Sequence, residues 1–170
     1  KGDGRTEISI EVHAKDFPVD DGLANLFSGP LRKAVLDRQL RGRADVDGLR
    51  LRFAIPTRDS KEPFETTLSG SIGLNGVDML LGTGRDGIRV INLNGLVTLN
   101  ESTVTENGGQ LTGRLGRGAL SLFGHSFEAF ESAFTADAER LTLHTLKSRI
   151  HDGEIRNADP NLAALTYQLP

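Results

Sequence analysis

The chain has 170 residues, of which 37% are hydrophobic and 25% charged, and its formal net charge is −3. That length suits one domain with a real core, and that composition excludes general disorder and any net pull toward nucleic acid or anionic membrane. Cysteine is absent, which rules out disulfides and thiolate-bound zinc, and no apolar run nears the roughly 20 residues of a membrane-crossing helix.

The chain opens with a clean alternation. Ile8, Ile10, Val12 and Ala14 fall on one side, and Glu7, Ser9, Glu11 and His13 on the other, as in a half-buried strand. The period then changes. Val19, Leu23, Leu26 and Phe27 are spaced for a short amphipathic helix that breaks at Ser28-Gly29-Pro30. Pro30 then opens a second short helix running to Gln39 or Leu40.

After Gly42 the alternation returns with Ala44 and Val46, then Leu49, Leu51, Phe53 and Ile55. The phase slips by one residue at Gly48, and a bulge there keeps both sets on the same side. Residues 56–63 form a polar loop between two prolines. Leu68, Gly70, Ile72 and Leu74 run into Asn75-Gly76, a strong hairpin signal, and Val77, Met79 and Leu81 are read as the returning strand.

A loop at 82–87 leads to Ile91, Leu93, Gly95, Val97 and Leu99. Asn107-Gly108-Gly109 turns again, before Leu111, Gly113, Leu115, Leu120 and Leu122. In HSFEAFESAF, Phe127, Phe130, Ala133 and Phe134 have near-helical spacing, so the stretch is either a brief helix or two strands pivoting at Glu131. Ala136, Ala138, Leu141, Leu143 and Leu146 resume the β rhythm, and Asp152-Gly153 turns before Ile155. The expectation is mainly β: a long twisted antiparallel meander curled into a groove or half-barrel, with one or two short helices near residues 19–40. As a domain it is one β-rich segment, 1–170, with a strand and helical insert at 1–41 and the meander at 42–170. Because it starts KGDGRTEISI and stops at TYQLP, it reads as cut from a longer chain.

Few residues point to chemistry. Gly82, Gly84 and Gly87 match G-x-G-x-x-G, but a pyrophosphate cradle needs a helix directly after it, and IRVINLNG reads as strand. His13, His125, His144 and His151 lack the spacing of a helical zinc site. Gly124-His125-Ser126 sets a hydroxyl beside an imidazole in sequence, without a nucleophile elbow. Asp45-Val46-Asp47-Gly48 lacks the remaining ligands of a calcium loop. Asn100-Glu101-Ser102 is a formal glycosylation sequon. The eight basic residues from Arg32 to Arg58, including Arg41, Arg43, Arg50 and Arg52, are interspersed with Asp37, Asp45 and Asp47 and have no aromatic residues for base stacking. They read as a solvated face rather than a nucleic-acid or headgroup site. No catalytic residue, metal ligand or cofactor is assigned, and the expectation is a non-enzymatic protein.

Three passages carry a family resemblance: EISIEVHAKDFPVDDGLANLF with PLRKAVLDRQLRGRADVDGLRLRF, LSGSIGLNGVDMLLG with INLNGLVTLNESTV, and ERLTLHTLKSRIHDGEIRN. Together they resemble the AsmA-like, TamB-type family of bridge-like lipid transporters in Gram-negative envelopes, particularly large planctomycete-type members. In the first passage the helical insert is placed from near Pro18. The resemblance implies a curled antiparallel sheet whose apolar strand faces line a groove for phospholipid or other acyl chains. It further implies a periplasmic location, an anchor outside this segment with no transmembrane span within it, and envelope proteins as partners. On this reading the groove is lined by Leu49, Leu51, Phe53, Leu68, Ile72, Val97, Leu99, Leu141 and Leu143. The rival expectation is a structural or adhesive β-module of an envelope assembly, in which the same rows close into a dry core.

Overall fold

The computed structural model describes residues 5–26, 29–57, 64–81, 87–105, 108–137, 139–157, 159 and 162–168. Six long strands dominate: β1 (Arg5–Val19), β2 (Arg41–Pro56), β3 (Glu65–Leu81), β4 (Ile88–Thr105), β5 (Gly108–Leu122) and β6 (His125–Ala136). Four short ones follow, β7 (Arg140–Leu143), β8 (Lys147–Ile150), β9 (Gly153–Arg156) and β10 (Leu165–Gln168). Between β1 and β2 lie a 3-10 turn at Asp21–Leu26 and helix α1 (Gly29–Asp37).

The strands form one antiparallel sheet that does not close on itself, in the order β1-β2-β3-β4-β5-β6-β7-β10. The sheet forks at β6. Its second half pairs with β7, its first half with β8, and β8 carries β9. The expected mainly β, curled meander with short helices is therefore the architecture. The meander gives way to the fork only near its end, where β10 returns to pair with β7.

Several expectations are corrected. Asn75-Gly76 is not a hairpin: β3 runs straight through it, and Gly76, at φ 61°, is a bulge residue inside the strand. HSFEAFESAF is neither a helix nor two pivoting strands but the single strand β6. The helical insert begins after Val19 rather than near Pro18, because β1 continues through both residues. Gly108 and Gly109 belong to β5, which pairs from Thr105↔Gly108 onward. The loop residues 58–63 and 82–86, together with Phe27, Ser28, Asn107 and Ala138, lie outside the described residues.

Side chains of opposed residues share a face, so the register tells which apolar rows meet. Each long strand has a register irregularity near the same level. These lie between Ala14 and Phe17, Arg41 and Arg43, Leu74 and Val77, Ile91 and Asn94, Leu115 and Gly118, and Glu128 and Glu131. In β1 and β3 to β6 the irregularity is an inserted residue with left-handed backbone, Asp16, Gly76, Asn92, Arg117 and Ala129, whereas β2 gains none at this level and has its own insertion at Gly48. An inserted residue would normally turn the rest of a strand over. Here the apolar sequence slips by one residue at the same places, so the two effects cancel. Leu68, Ile72 and Leu74 precede the slip in β3, Val77, Met79 and Leu81 follow it, and all face the same way.

The extra residues leave main-chain N–H groups without ladder partners, and polar side chains accept from them. Asp45 Oδ1 takes the Asp16 N–H at 2.8 Å, Asn94 Oδ1 the Gly76 N–H at 2.9 Å, and Asp78 Oδ1 the Asn92 N–H at 2.8 Å. A second irregularity links Gly48 and Gly70 and continues into β4 beyond Leu99. Gly70, at φ 133°, lies so close to β2 that a Cβ there would sit 2.6 Å from the Gly48 carbonyl oxygen and 2.7 Å from Leu49 Cα.

Gly70→Ala combines a strained φ with a backbone clash, and the expected cost is on the order of 2–4 kcal/mol of folding free energy. Urea denaturation measures it. Gly116→Ala, whose new Cβ would meet nothing within 4 Å, is expected to cost less than about 1 kcal/mol, the ordinary range for a substitution that creates no clash.

Candidate functional site

The bulge stripe divides the apolar face into two regions of different character. Below it, toward the β5–β6 turn, Val77, Val90, Leu93 and Leu120 form a buried cluster, with Met79, Leu81, Leu122, Phe127 and Phe130 packed around it. This region is drawn together by the curl of the sheet. Tyr167, on β10, donates its hydroxyl to the carbonyl of Leu81 on β3 at 3.1 Å. Strands β4, β5, β6 and β7 separate those two residues in the sheet order, so the curl brings β10 back to the end of β3.

Above the stripe lie the nine residues expected to line a groove, and the register places all of them on the one apolar face. Ile10 opposes Leu51, which opposes Leu68, and Ile8 opposes Phe53. Val46, Ile72, Val97 and Leu115 make the next row. Val12 opposes Leu49; Leu99 opposes Gly70 and Gly113, Gly113 opposes Phe134, and Phe134 opposes Leu143. Leu141 stands against Ala136 and Tyr167.

Burial in this region is incomplete. Leu99 is buried, at 9% exposure, but Leu49, Leu51, Phe53, Leu68, Ile72, Val97, Leu141 and Leu143 are only half-buried. At the β1 side Ile8 is 44% and Ile10 46% exposed. Among the described residues the sheet is a single layer here, with no second sheet packed on it. Phe53 also stacks on Phe64, with ring centroids 6.1 Å apart.

Three serines interrupt the apolar rows, and all three are buried: Ser102, Ser132 and Ser148. Each hydroxyl is turned into the sheet. Ser102 Oγ donates to the carbonyl of Asn100 at 2.9 Å and accepts the Thr112 N–H at 2.9 Å, repairing the ladder where β4 bulges. Ser132 Oγ donates to Thr145 at 2.6 Å and Ser148 Oγ to Glu128 at 3.0 Å. These hydroxyls therefore satisfy the backbone and offer no hydrogen bond to anything lying on the face. Sequence reasoning missed this, although a serine standing in an otherwise apolar row is its signal.

The opposite face is mainly polar and laced across strands, with Ile91 and Leu96 exposed on it. Arg43 pairs with Asp16, and Arg50 Nε donates to Glu11 Oε2 at 3.4 Å. The Asp45–Asp47 stretch holds no calcium-loop geometry, because Asp45 is committed to the Asp16 N–H and Asn75, and Asp47 to His13. Gly87 is followed directly by strand β4, so no helix N-terminus faces a phosphate there; Gly82 and Gly84 lie outside the described residues. His125 and His151 meet edge to face at 5.7 Å, a proximity the sequence did not signal, while His144 contacts Thr135 at 2.9 Å. Among the described residues no group of three His, Asp or Glu side chains lies close enough to hold a metal ion, and no helix is long and apolar enough to cross a membrane. Comparison with known protein families, curated proteins and solved structures finds no match.

His13 ties β1 to the Gly48 bulge. Its Nδ1 lies 3.0 Å from Asp47 Oδ1 and its Nε2 3.0 Å from Glu11 Oε1. The hydrogen bond to Asp47, then the one to Glu11, raises its pKa above the ordinary 6.5. A group whose pKa is raised on folding contributes stability that is complete below the unfolded value and lost as pH climbs through the folded value. Denaturation of wild type and His13→Asn should therefore differ most at pH 5–6 and converge in mildly alkaline buffer. A gap that widened with rising pH would contradict the assignment.

Proposed function

We propose that the region above the bulge stripe is a lipid-binding, lipid-conducting trough, and that the chain is a non-catalytic segment of an AsmA-like protein in a Gram-negative-type periplasm. One observation carries this reading: a contiguous apolar face spans β1 to β7 with no covering layer among the described residues, and its lining is left half-exposed. A protein surface of that kind needs an apolar occupant, since water against such a patch costs about 25 cal/mol for each Å² left uncovered.

The chemistry of the face favours acyl chains over a polar or highly specific ligand. Its rows are Leu, Ile, Val and Phe, and its buried serine hydroxyls are already used by the backbone. Apolar contact without directed hydrogen bonds discriminates poorly between chains that differ by a methylene or two. The trough therefore takes phospholipid acyl chains by their general character, with headgroups left in water at the open side. The buried cluster below the stripe closes one end as an ordinary dry core, and that part of the sheet fits the rival reading of a structural module.

Native mass spectrometry of the protein purified from a Gram-negative host, followed by lipid extraction, tests the proposal. The expected result is stoichiometric phospholipid on wild type and its loss in the double variant Leu51→Asp, Phe53→Asp, with the far-UV circular dichroism unchanged. A folded wild-type protein that carries no lipid and refuses added phospholipid vesicles would assign the whole sheet to a structural role.

A further inference from the structure

We infer that His125 and His151 form a surface site for a single divalent transition-metal ion of the copper, nickel or zinc kind, held by two imidazoles and completed by water. The two rings meet with centroids 5.7 Å apart. Imidazoles that share one ion, at a metal–nitrogen bond of about 2 Å, have centroids roughly 4.5–6.4 Å apart, the limits being a right angle and a straight line at the metal. The observed separation lies inside that range.

The backbone itself presents the pair. Leu122 opposes His125 across Phe123-Gly124, so His125 is the first residue after the tight turn between β5 and β6. His151 and Asp152 make the turn between β8 and β9, with Ile150 opposite Gly153. Phe127 pairs with Ile150, which sets the two hairpins side by side and brings their turns together. His151 also takes the left-handed backbone, at φ 51°, a turn position that Asn or Gly usually fills. An imidazole is thus held at the tip where a smaller residue would fit with less strain.

The other two histidines are engaged elsewhere. Asp47 and Glu11 take both ring nitrogens of His13, and Thr135 takes Nε2 of His144. Among the described residues no hydrogen bond takes a ring nitrogen of His125 or His151, and both residues are exposed. Either ring can therefore turn a nitrogen toward a shared ion without breaking a hydrogen bond.

Imidazole suits Cu2+, Ni2+ and Zn2+, whereas Mg2+ and Ca2+ prefer oxygen ligands. Among the described residues no third His, Asp or Glu completes the set, so water fills the remaining positions. A bound ion staples the β5–β6 turn to the β8–β9 turn, at the branch of the fork that β8 and β9 form. The site lies on the far side of the bulge stripe from the trough, and its occupation does not depend on lipid.

Calorimetric titration of the untagged, metal-free protein with Ni2+ tests the site, and one ion per chain is expected. His125→Gln and His151→Asn each leave a single imidazole and should weaken binding at least about tenfold, because the chelate is lost. Asn accepts the left-handed turn position, so the second variant keeps the fold. His13→Gln and His144→Gln should bind as wild type does. Paramagnetic broadening of the histidine ring protons by Ni2+ gives a second readout on the wild-type protein. The signals of His125 and His151 should broaden together, ahead of those of His13 and His144. Wild-type binding no tighter than that of His125→Gln, or broadening led by His13 or His144, would overturn the proposal.

Discussion

The structure depends on how each long strand accommodates one extra residue. A strand with period-two side chains cannot gain a residue without exchanging its faces, unless the sequence pattern slips at the same point. In β1 and β3 to β6 it does so at one level, marked by the left-handed residues Asp16, Gly76, Asn92, Arg117 and Ala129, and in β2 it does so at Gly48. Each insertion frees backbone groups, so the device also needs acceptors nearby. Asp45, Asp78 and Asn94 supply them from neighbouring strands. These polar residues would look like defects in a strand if the bulges were not known.

The aligned bulges have a mechanical consequence. Bulges increase local twist, and five at one level coil the whole sheet. β10 is thereby brought within reach of β3, across the four strands between them, as the Tyr167–Leu81 hydrogen bond shows. Below the stripe, curl and bulk combine to bury Val77, Val90, Leu93 and Leu120. Above it the apolar rows remain half-exposed. A single device thus yields a core that holds the fold and an apolar face left half-exposed. The buried serines complete the separation, since their hydroxyls bond to the backbone of the sheet.

Much of this was legible in the residues. The alternation in β1, in β2 and in the 68–74 and 93–99 phrases identified the strands and their apolar sides, and the slip at Gly48 was readable as a bulge. The other slips carried the same signal but were open to rival readings. Asn75-Gly76 serves equally as a hairpin turn or as a bulge, because both need a positive φ at glycine. Phe127 and Phe130 sit three apart because Ala129 is inserted between them, which imitates helical spacing until Ala133 is found to point the other way. The fork at β6, the return of β10 to β7 and the meeting of His125 with His151 join residues distant in sequence. No local pattern encodes them.

The most direct test of this account is a solvent-accessibility scan of single introduced thiols along β3, from Thr66 to Leu80, measured as labelling rate by a water-soluble reagent. The account predicts slow labelling at even positions up to Leu74, a reversal at Gly76, and slow labelling at Val77 and Met79 thereafter. It also predicts that Leu68 and Ile72, above the stripe, label faster than Val77 below it. A single uninterrupted alternation through Gly76, or equal protection on both sides of the stripe, would contradict it.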